Sequence, residues 1–412
     1  MIAIETRLMQ QLAGRRLAVF TVLLGALTAF GPLSMDLYLP AFPELAADLG
    51  ASQSAVQLTL TADVIGLVVG QLILGPISDA RGRRGLLVGS TLVCAIASVL
   101  CAIAPSAAWL SVWRFVQGAS GGGGIVLARA IAADVAEGVA AARLFSLFMT
   151  VSSVAPIVAP VLGGGLLAAT GSWRPMFWLL AGISAVLAVA TWRSIPETLP
   201  AERRHAGGLR QTGRAFVALA RDRVFVGYAL TVAFAYASLF GYISGSSFAL
   251  QDVYGLTATQ FSLVFAANAA GMIVLGLVNA RLVRRFPVRR LLIVGLSAST
   301  VAAALLLGAV LTGSGLIAIL APLFVVVATR GLVSSNATVL GVQQASVAGS
   351  ASAILGALMF TGGILVTPLM ALGGGGTALP MVAVVAGGAV AALLATVLLT
   401  RVRVAATPPQ SS

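Results

Sequence analysis

The sequence predicts an all-α membrane protein of twelve transmembrane helices in two six-helix halves. Three observations lead there. The chain is 59% apolar and 9% charged, whereas soluble domains carry about 25% charged residues. Apolar stretches of about 20 residues, enough to cross a bilayer, recur along all 412 residues. One long polar and charged segment, 197–223, breaks that rhythm near the middle.

The elements follow in order. Spans are expected at about 17–39, which carries Asp36 near its end, and 55–78, which carries Asp63. A tight turn leads into 86–104, with Cys94 and Cys101, and then 107–133, with Arg114 and the run Gly121 to Gly124. The spans 144–168, with Pro156 and Pro160, and 175–195 complete the first half. After the polar segment come 224–250, 258–282, 288–311, 315–337, 348–372 and 379–400. The expected division is therefore 1–196, a six-helix bundle; 197–223, a cytoplasmic loop; and 224–412, a second six-helix bundle. The abundance of Gly suits helices that pack closely in lipid. The start carries Glu5 and Arg7 and no short apolar core with a cleavage site, so no cleavable signal peptide is expected.

The net charge of +13 raises the question of nucleic acid, but its placement answers it. All 25 basic side chains are Arg. With the N-terminus inside and twelve crossings, only Arg174 falls outside and Arg114 within a span. The other twenty-three (25 − 2) sit in inner loops, tails or helix ends. They cluster at Arg7/Arg15/Arg16, Arg81/Arg83/Arg84, Arg203 to Arg223, Arg281 to Arg290 and Arg401/Arg403. This is the positive-inside pattern of a multi-pass protein with both termini cytoplasmic. The partner it implies is the lipid bilayer, not nucleic acid.

Four stretches carry a family resemblance. Gly75-Pro76-Ile77-Ser78-Asp79-Ala80-Arg81-Gly82-Arg83-Arg84 joins spans 2 and 3, and Arg114-Phe115-Val116-Gln117-Gly118 lies in span 4. Span 5 holds Ser153-Val154-Ala155-Pro156-Ile157-Val158-Ala159-Pro160-Val161-Leu162-Gly163-Gly164. Span 1 ends in Met35-Asp36-Leu37-Tyr38-Leu39-Pro40-Ala41-Phe42-Pro43. Together they resemble the loop 2–3 signature, the R-x-x-Q-G motif and the antiporter motif of the major facilitator superfamily, and the span 1 stretch of its Bcr/CflA drug-resistance exporters. Ala128 to Asp134, Trp173 to Trp178 and Pro196-Glu197-Thr198-Leu199 fit that family too. A degenerate second copy, Gly276 to Arg281 followed by Arg284, Arg285, Arg289 and Arg290, has Ala280 in place of the acid. It points to two related halves with a substrate site between them near the midplane.

The resemblance implies roles for particular residues. Asp36 and Arg114, with Gln117 beside them, belong to proton coupling or the substrate cavity. Gly75, Asp79, Gly82, Arg83, Arg84 and Asp134 belong to a charge latch that holds the outward-open state. Pro156, Pro160, Gly163 and Gly164 seal the substrate path of an exporter. Ala80 stands where the family pattern has Arg, a position that Arg81 is placed to replace. Asp63 stands where the pattern has an apolar residue, and reads as a substrate-specific feature, as a second proton carrier or as a hydrated group facing the outer vestibule.

The residues themselves support part of this. A charge within a span is costly unless paired or in a wet cavity, so Asp36, Asp63 and Arg114 are candidates by position alone. Asp63 lies about 8 residues into its span, roughly 12 Å deep, and Arg114 about 7 residues into its own. Asp36 lies at similar depth, so one Arg is placed to face two acids. Desolvation favours the neutral form of a carboxylate and a nearby guanidinium favours the charged form. Alternating exposure then suffices to exchange a proton for a substrate. In span 5, Ser152, Pro156, Pro160 and Gly164 recur every four residues on one face.

Other residues carry less. His205, the one histidine, sits in the charged segment, so no metal site is expected. Cys94 and Cys101 are about 10.5 Å apart along a helix axis, beyond disulfide reach. The glycine run has no strand before it and no Gly-Lys-Ser/Thr, which excludes a phosphate loop and an ATP-driven pump. Asn268, Asn279, Asn336, Gln343 and Gln344 read as packing glue or as cavity lining. No enzyme chemistry and no cofactor are implied. The expected function is monomeric, proton-coupled efflux of small amphipathic drugs, such as amphenicol or bicyclomycin-like antibiotics, across a bacterial inner membrane. The alternatives are proton-coupled metabolite transport and a membrane sensor without flux.

Overall fold

The computed structural model describes residues 15–136, 138–200, 204, 219, 221–344, 348–371 and 376–400. His205, Arg203 and the terminal Arg7, Arg401 and Arg403 lie outside them. Among the described residues the only regular structure is helical. Helix α1 spans Arg15–Asp36, a 3₁₀ turn follows at Leu39–Ala41, and α2 spans Phe42–Asp48. Next come α3 Gln53–Arg81, α4 Arg84–Ala102, α5 Ala107–Val135, α6 Gly138–Thr170 and α7 Arg174–Ser194. After the polar segment, α8 Arg223–Phe248 continues as a π turn at Ala249–Val253. Then α9 Ala258–Leu282, α10 Val288–Leu311 and the pair α11 Leu316–Ala328 and α12 Arg330–Val342 follow. Helices α13 Ala348–Ile364, α14 Val366–Ala371 and α15 Leu379–Leu399 complete the set.

Local chemistry sets these boundaries. Ser52 and Ser106 cap α3 and α5, accepting from Ala55 N and Trp109 N at 3.2 Å each. Asp222 caps α8 through Val224 N and Phe225 N, and Thr257 forms a reciprocal box with Gln260 at the start of α9. Such caps satisfy amide groups that a helix start leaves unpaired. At the other end of α3, Gly82 takes φ +100°, a conformation open to glycine. A Cβ there would also strike Glu197 Oε2.

Among the described residues, ten continuous helices are long and apolar enough to cross a membrane, including Gln53–Arg81, Arg223–Val253 and Leu316–Val342. Helix α5 is as long, at 29 residues, but its glycine run, Arg114, Gln117, Arg129 and Asp134 lower its apolarity. The eleventh crossing is represented among the described residues by the shorter apolar segment Ile354–Met370, which runs through a turn at Leu365. With these two, the twelve expected spans are accounted for.

Helices before residue 197 pack mainly on one another: α3 on α5, α4 on α5 and α7, and α1 on α6 and α5. Those after residue 223 do likewise, with α8 against α15, α13 and α12, and α10 against α11 and α15. The two sets meet where α6 packs on α9, where α3 packs on α13 and α14, and where the 39–48 segment packs on α8. Every hydrogen bond between the sets, among the described residues, lies at the arginine-poor end. Ser247 Oγ donates to Leu39 O at 2.6 Å and Gln251 Nε2 to Pro40 O at 3.1 Å. Gln53 Nε2 donates to Asp252 at 3.4 Å, and the Thr61 and Thr367 hydroxyls meet. The 3₁₀ break at Leu39-Pro40 leaves carbonyls without helical partners, and the second helix set satisfies them. The molecule is thus closed at this end.

Candidate functional site

Two glycine pairs bring α3 and α5 together. A Cβ on Gly66 or Gly70 would collide with the backbone at Phe115 and Ala119, and one on Gly118 or Gly122 with the carbonyls of Asp63 and Leu67. Backbone contact of this kind needs small residues. It sets Asp63 and Arg114 face to face, both with side chains 0% exposed. Arg114 Nη2 lies 2.9 Å from Asp63 Oδ2. The approach is an ion pair by distance, but its angle is not that of a hydrogen bond, and both Asp63 oxygens lack a hydrogen-bond donor.

The guanidinium has further support. Arg114 Nη1 donates to Gln117 Oε1 at 2.5 Å, and Gln117 Nε2 donates to Ser98 Oγ at 2.6 Å. Ser98 Oγ passes the chain to Cys94 O at 2.7 Å. The Arg114 head stacks over Tyr38 at 4.6 Å and lies 5.7 Å from the centre of the Phe177 ring. The Tyr38 hydroxyl is 3.0 Å from Thr59 Oγ1. Thus the first crossing, through Tyr38 just past α1, and α3, α4, α5 and α7 all touch one charged core. Asp63 does not face a hydrated vestibule: it is fully enclosed, and Arg114 is its counter-charge.

Asp36 stands apart. It is 5% exposed and, among the described residues, makes no ion pair and no hydrogen bond through its carboxylate. It lies near Tyr236 and Tyr242 of α8, across the junction of the two helix sets. The expectation that one Arg faces both acids is therefore corrected. Depth along a helix places Asp36 and Arg114 level, but α1 turns Asp36 toward α8 while Arg114 points into the first helix set.

At the arginine-rich end, Arg83 Nη1 donates to Asp79 Oδ1 and to Ser78 Oγ, both at 2.5 Å, and Nε donates to Asp134 Oδ2 at 3.2 Å. Asp79 is half-exposed. Arg84 Nη2 donates to Trp192 O at 2.6 Å, tying α4 to the end of α7. Asp79, Arg83 and Asp134 of the expected latch thus meet, whereas Arg84 turns to Trp192 and Gly82 to Glu197, and all of these lie on the first helix set and its continuation. These pairs are complete while the opposite end is closed, so they need no outward-open arrangement to form. Arg81 is exposed and joins no polar contact among the described residues, so it does not replace the missing Arg at Ala80. Gly75 stands in ordinary contact with Val126.

Sequence reading missed Glu197 as the organiser of this turn. Its carboxylate accepts from the backbone N–H groups of Arg83, Arg84 and Leu199 at 2.8, 3.2 and 3.1 Å. It caps the start of α4, where a negative charge is favoured. Thr198 Oγ1 donates to Asp134 Oδ2 at 2.9 Å. No local pattern announces a partner more than a hundred residues away.

The span 5 motif meets both helix sets. A Cβ on Gly163 would strike Leu37 O, and one on Gly164 would strike Ser262 Oγ of α9. Pro160 is buried and Pro156 half-buried. On α9 and α12, Asn279 and Asn336 exchange side-chain hydrogen bonds at 3.1 and 2.9 Å, and Asn268 Nδ2 donates to Tyr242 at 3.0 Å. These amides are glue between helices. Cys94 and Cys101 are buried free thiols. Among the described residues no group of His, Cys, Asp and Glu is placed to hold a metal. A groove of about 860 Å³ runs between α8, α13, α14 and α15, lined by residues such as Phe234, Leu365 and Val384. Its walls bear no charged group, unlike the Asp36 junction.

A second omission concerns Arg330. The charge count placed it with the inner arginines, but it sits at the start of α12, in the middle of the continuous crossing Leu316–Val342, and is 1% exposed. The rule that singled out Arg114, an ionisable group well inside an apolar stretch, applies to it equally.

Comparison with known proteins agrees with this architecture. The sequence pattern of the Major Facilitator Superfamily matches residues 22–368. The chain is 38% identical to the uncharacterized MFS-type transporter YdgK of Bacillus subtilis, over 87% of this chain and 90% of that one. It is 28% identical to a bicyclomycin resistance protein homolog of Haemophilus influenzae, over 86% and 89%. Against the solved structure of a D-xylose-proton symporter, the TM-score is 0.70 at 18% identity, covering 92% of this chain and 96% of that one. The last likeness concerns the fold alone.

Proposed function

Because this chain belongs to the Major Facilitator Superfamily and is a multi-pass membrane transporter without enzymatic chemistry, we propose that it exports small amphipathic drugs in exchange for protons. The carrying observation is Asp36. It is a buried carboxylate with no ion-pair partner among the described residues, at the junction of two helix sets that transport must separate. An unpaired carboxylate in such a place is strained when charged and is relieved by a proton or by a cationic substrate. Arg114 and Asp63 form a sealed pair that holds the first set rigid, so that Asp36 is presented from a fixed frame.

The positive-inside pattern puts the arginine-rich end in the cytoplasm. In that orientation the Leu39–Ser247 and Pro40–Gln251 contacts close the outer end. The two sets, 1–196 and 224–412, then rock about the Gly164–Ser262 contact. The similarity to a bicyclomycin resistance protein homolog supports drug substrates of that size and polarity. The test is transport by the purified protein in sealed vesicles with an imposed proton gradient. Chloramphenicol-class and bicyclomycin-class compounds should move up their gradient only while the proton gradient lasts. Flux that ignores the gradient would refute the coupling, and no flux for any compound would favour a sensor.

A further inference from the structure

Arg330 is a buried cation without an anion. Its Nη2 donates to Ser238 Oγ of α8 at 2.8 Å. Its Nε and Nη1 are buried and have no partner. No carboxylate lies within ion-pair distance among the described residues. Arginine does not escape by losing its proton, and a lone charge at this depth of a membrane is among the most costly arrangements a chain adopts.

The neighbouring polar groups are donors too. Ser238 Oγ spends its own proton on Val385 O of α15 at 2.8 Å. Gly295 of α10 lies against Leu332 and Val333 of α12. Helices α10 and α11–α12 run antiparallel, so Ser299, one turn on from Gly295, comes level with Thr329 and Arg330. Ser299 is 0% exposed and its hydroxyl has no partner. A guanidinium with two free nitrogens, and a free hydroxyl level with it, lie deep among α8, α10, α12 and α15 with no acidic acceptor among the described residues. The Arg114 core holds the same kinds of group but includes Asp63.

We propose that Arg330 anchors a buried anion site, completed by Ser299 and steadied by Ser238, that takes one small monovalent anion. Enclosure on all sides favours a halide such as chloride. The carboxylate of a transported molecule offers the same single negative acceptor. The site is a matter of binding and stands apart from the direction or coupling of transport.

The test is thermal unfolding of the purified full chain in detergent. Sodium chloride is raised from 1 to about 300 mM while sodium gluconate, a polyhydroxy acid with no apolar part to carry it into the membrane interior, holds ionic strength constant. A ligand that binds only the folded protein raises its melting temperature as it saturates, here by roughly 2 °C or more. A parallel series uses sodium benzoate. A response to chloride assigns the site to a free ion, and a response to benzoate alone assigns it to the acidic group of a larger molecule. Either response must be lost in Arg330→Met and weakened in Arg330→Lys, which keeps the charge but not the planar fork. Where Arg330→Met does not reach the membrane, Ser299→Ala serves in its place. Flat melting of the wild-type protein in both series, or an equal response in Arg330→Met, overturns the proposal.

Discussion

Arg114 and Arg330 are both enclosed in apolar helix packing, one before the polar segment and one after it. Arg114 has a carboxylate at 2.9 Å, an amide at 2.5 Å and an aromatic face at 4.6 Å. Arg330 has one hydroxyl at 2.8 Å and two free nitrogens. The difference separates two uses of a buried charge. Where the chain supplies the counter-charge, the result is a closed cross-brace among five helices. Where it does not, the charge is available to something that comes from outside. The acids show the same contrast: Asp63 is consumed by its partner, and Asp36 is free.

The largest effect should come from breaking the closed brace. Arg114→Ala leaves Asp63 buried and unpaired, which costs about 3–5 kcal/mol. Replacing both partners by apolar residues, Arg114→Met with Asp63→Leu, should recover most of that loss, because the desolvation of both charges is then also removed. Melting of the purified variants reads this directly. A single variant as stable as wild type would mean that the pair is not what holds the five helices. Removal of Ser238 or Ser299, by contrast, touches no ion pair, so each should cost less than Arg114→Ala in the absence of added anion.

A smaller effect should follow from prising the brace apart without touching its charges. Gly118→Ala puts a methyl group into the Asp63 carbonyl, and overpacking of this kind costs about 1–3 kcal/mol. Gly165→Ala, with nothing within 4 Å of the new methyl, is the control. Equal melting of the two variants would contradict the close approach of α3 and α5. The smallest effect is expected at the turn, where Glu197→Gln removes the charge that caps α4. It should cost about 0.3–1 kcal/mol and leave the Arg83–Asp79 and Arg83–Asp134 pairs intact. A loss as large as that of Arg114→Ala would make Glu197 a member of the charged core instead of a cap.

The spans were legible because hydropathy is summed over about 20 residues, so single polar positions hardly disturb it. The exceptions have causes. The glycine run in α5 lowers hydropathy, while Gly122 within it serves the close backbone contact with α3. The Arg114–Asp63 pair was within reach because both lie at matching depth on neighbouring crossings. The position of Asp36 was not, since depth says nothing about which way a side chain turns. Arg330 was hidden by a different effect. A strong overall charge asymmetry absorbed one arginine that lies in mid-span. Glu197 was unreadable because its partners are the backbone amides of a distant turn, which carry no sequence signal.

The central claim is that the free acid, not the paired one, carries the proton. Purified wild type, Asp36→Asn and Asp63→Asn can be compared in weakly buffered detergent solution by the protons released when a transported drug is added. Wild type should release protons, Asp36→Asn should release none or very few while still binding the drug, and Asp63→Asn should keep a measurable part of the signal. Undiminished release from Asp36→Asn, together with its loss in Asp63→Asn, would contradict the claim and move the carrier into the Arg114 core.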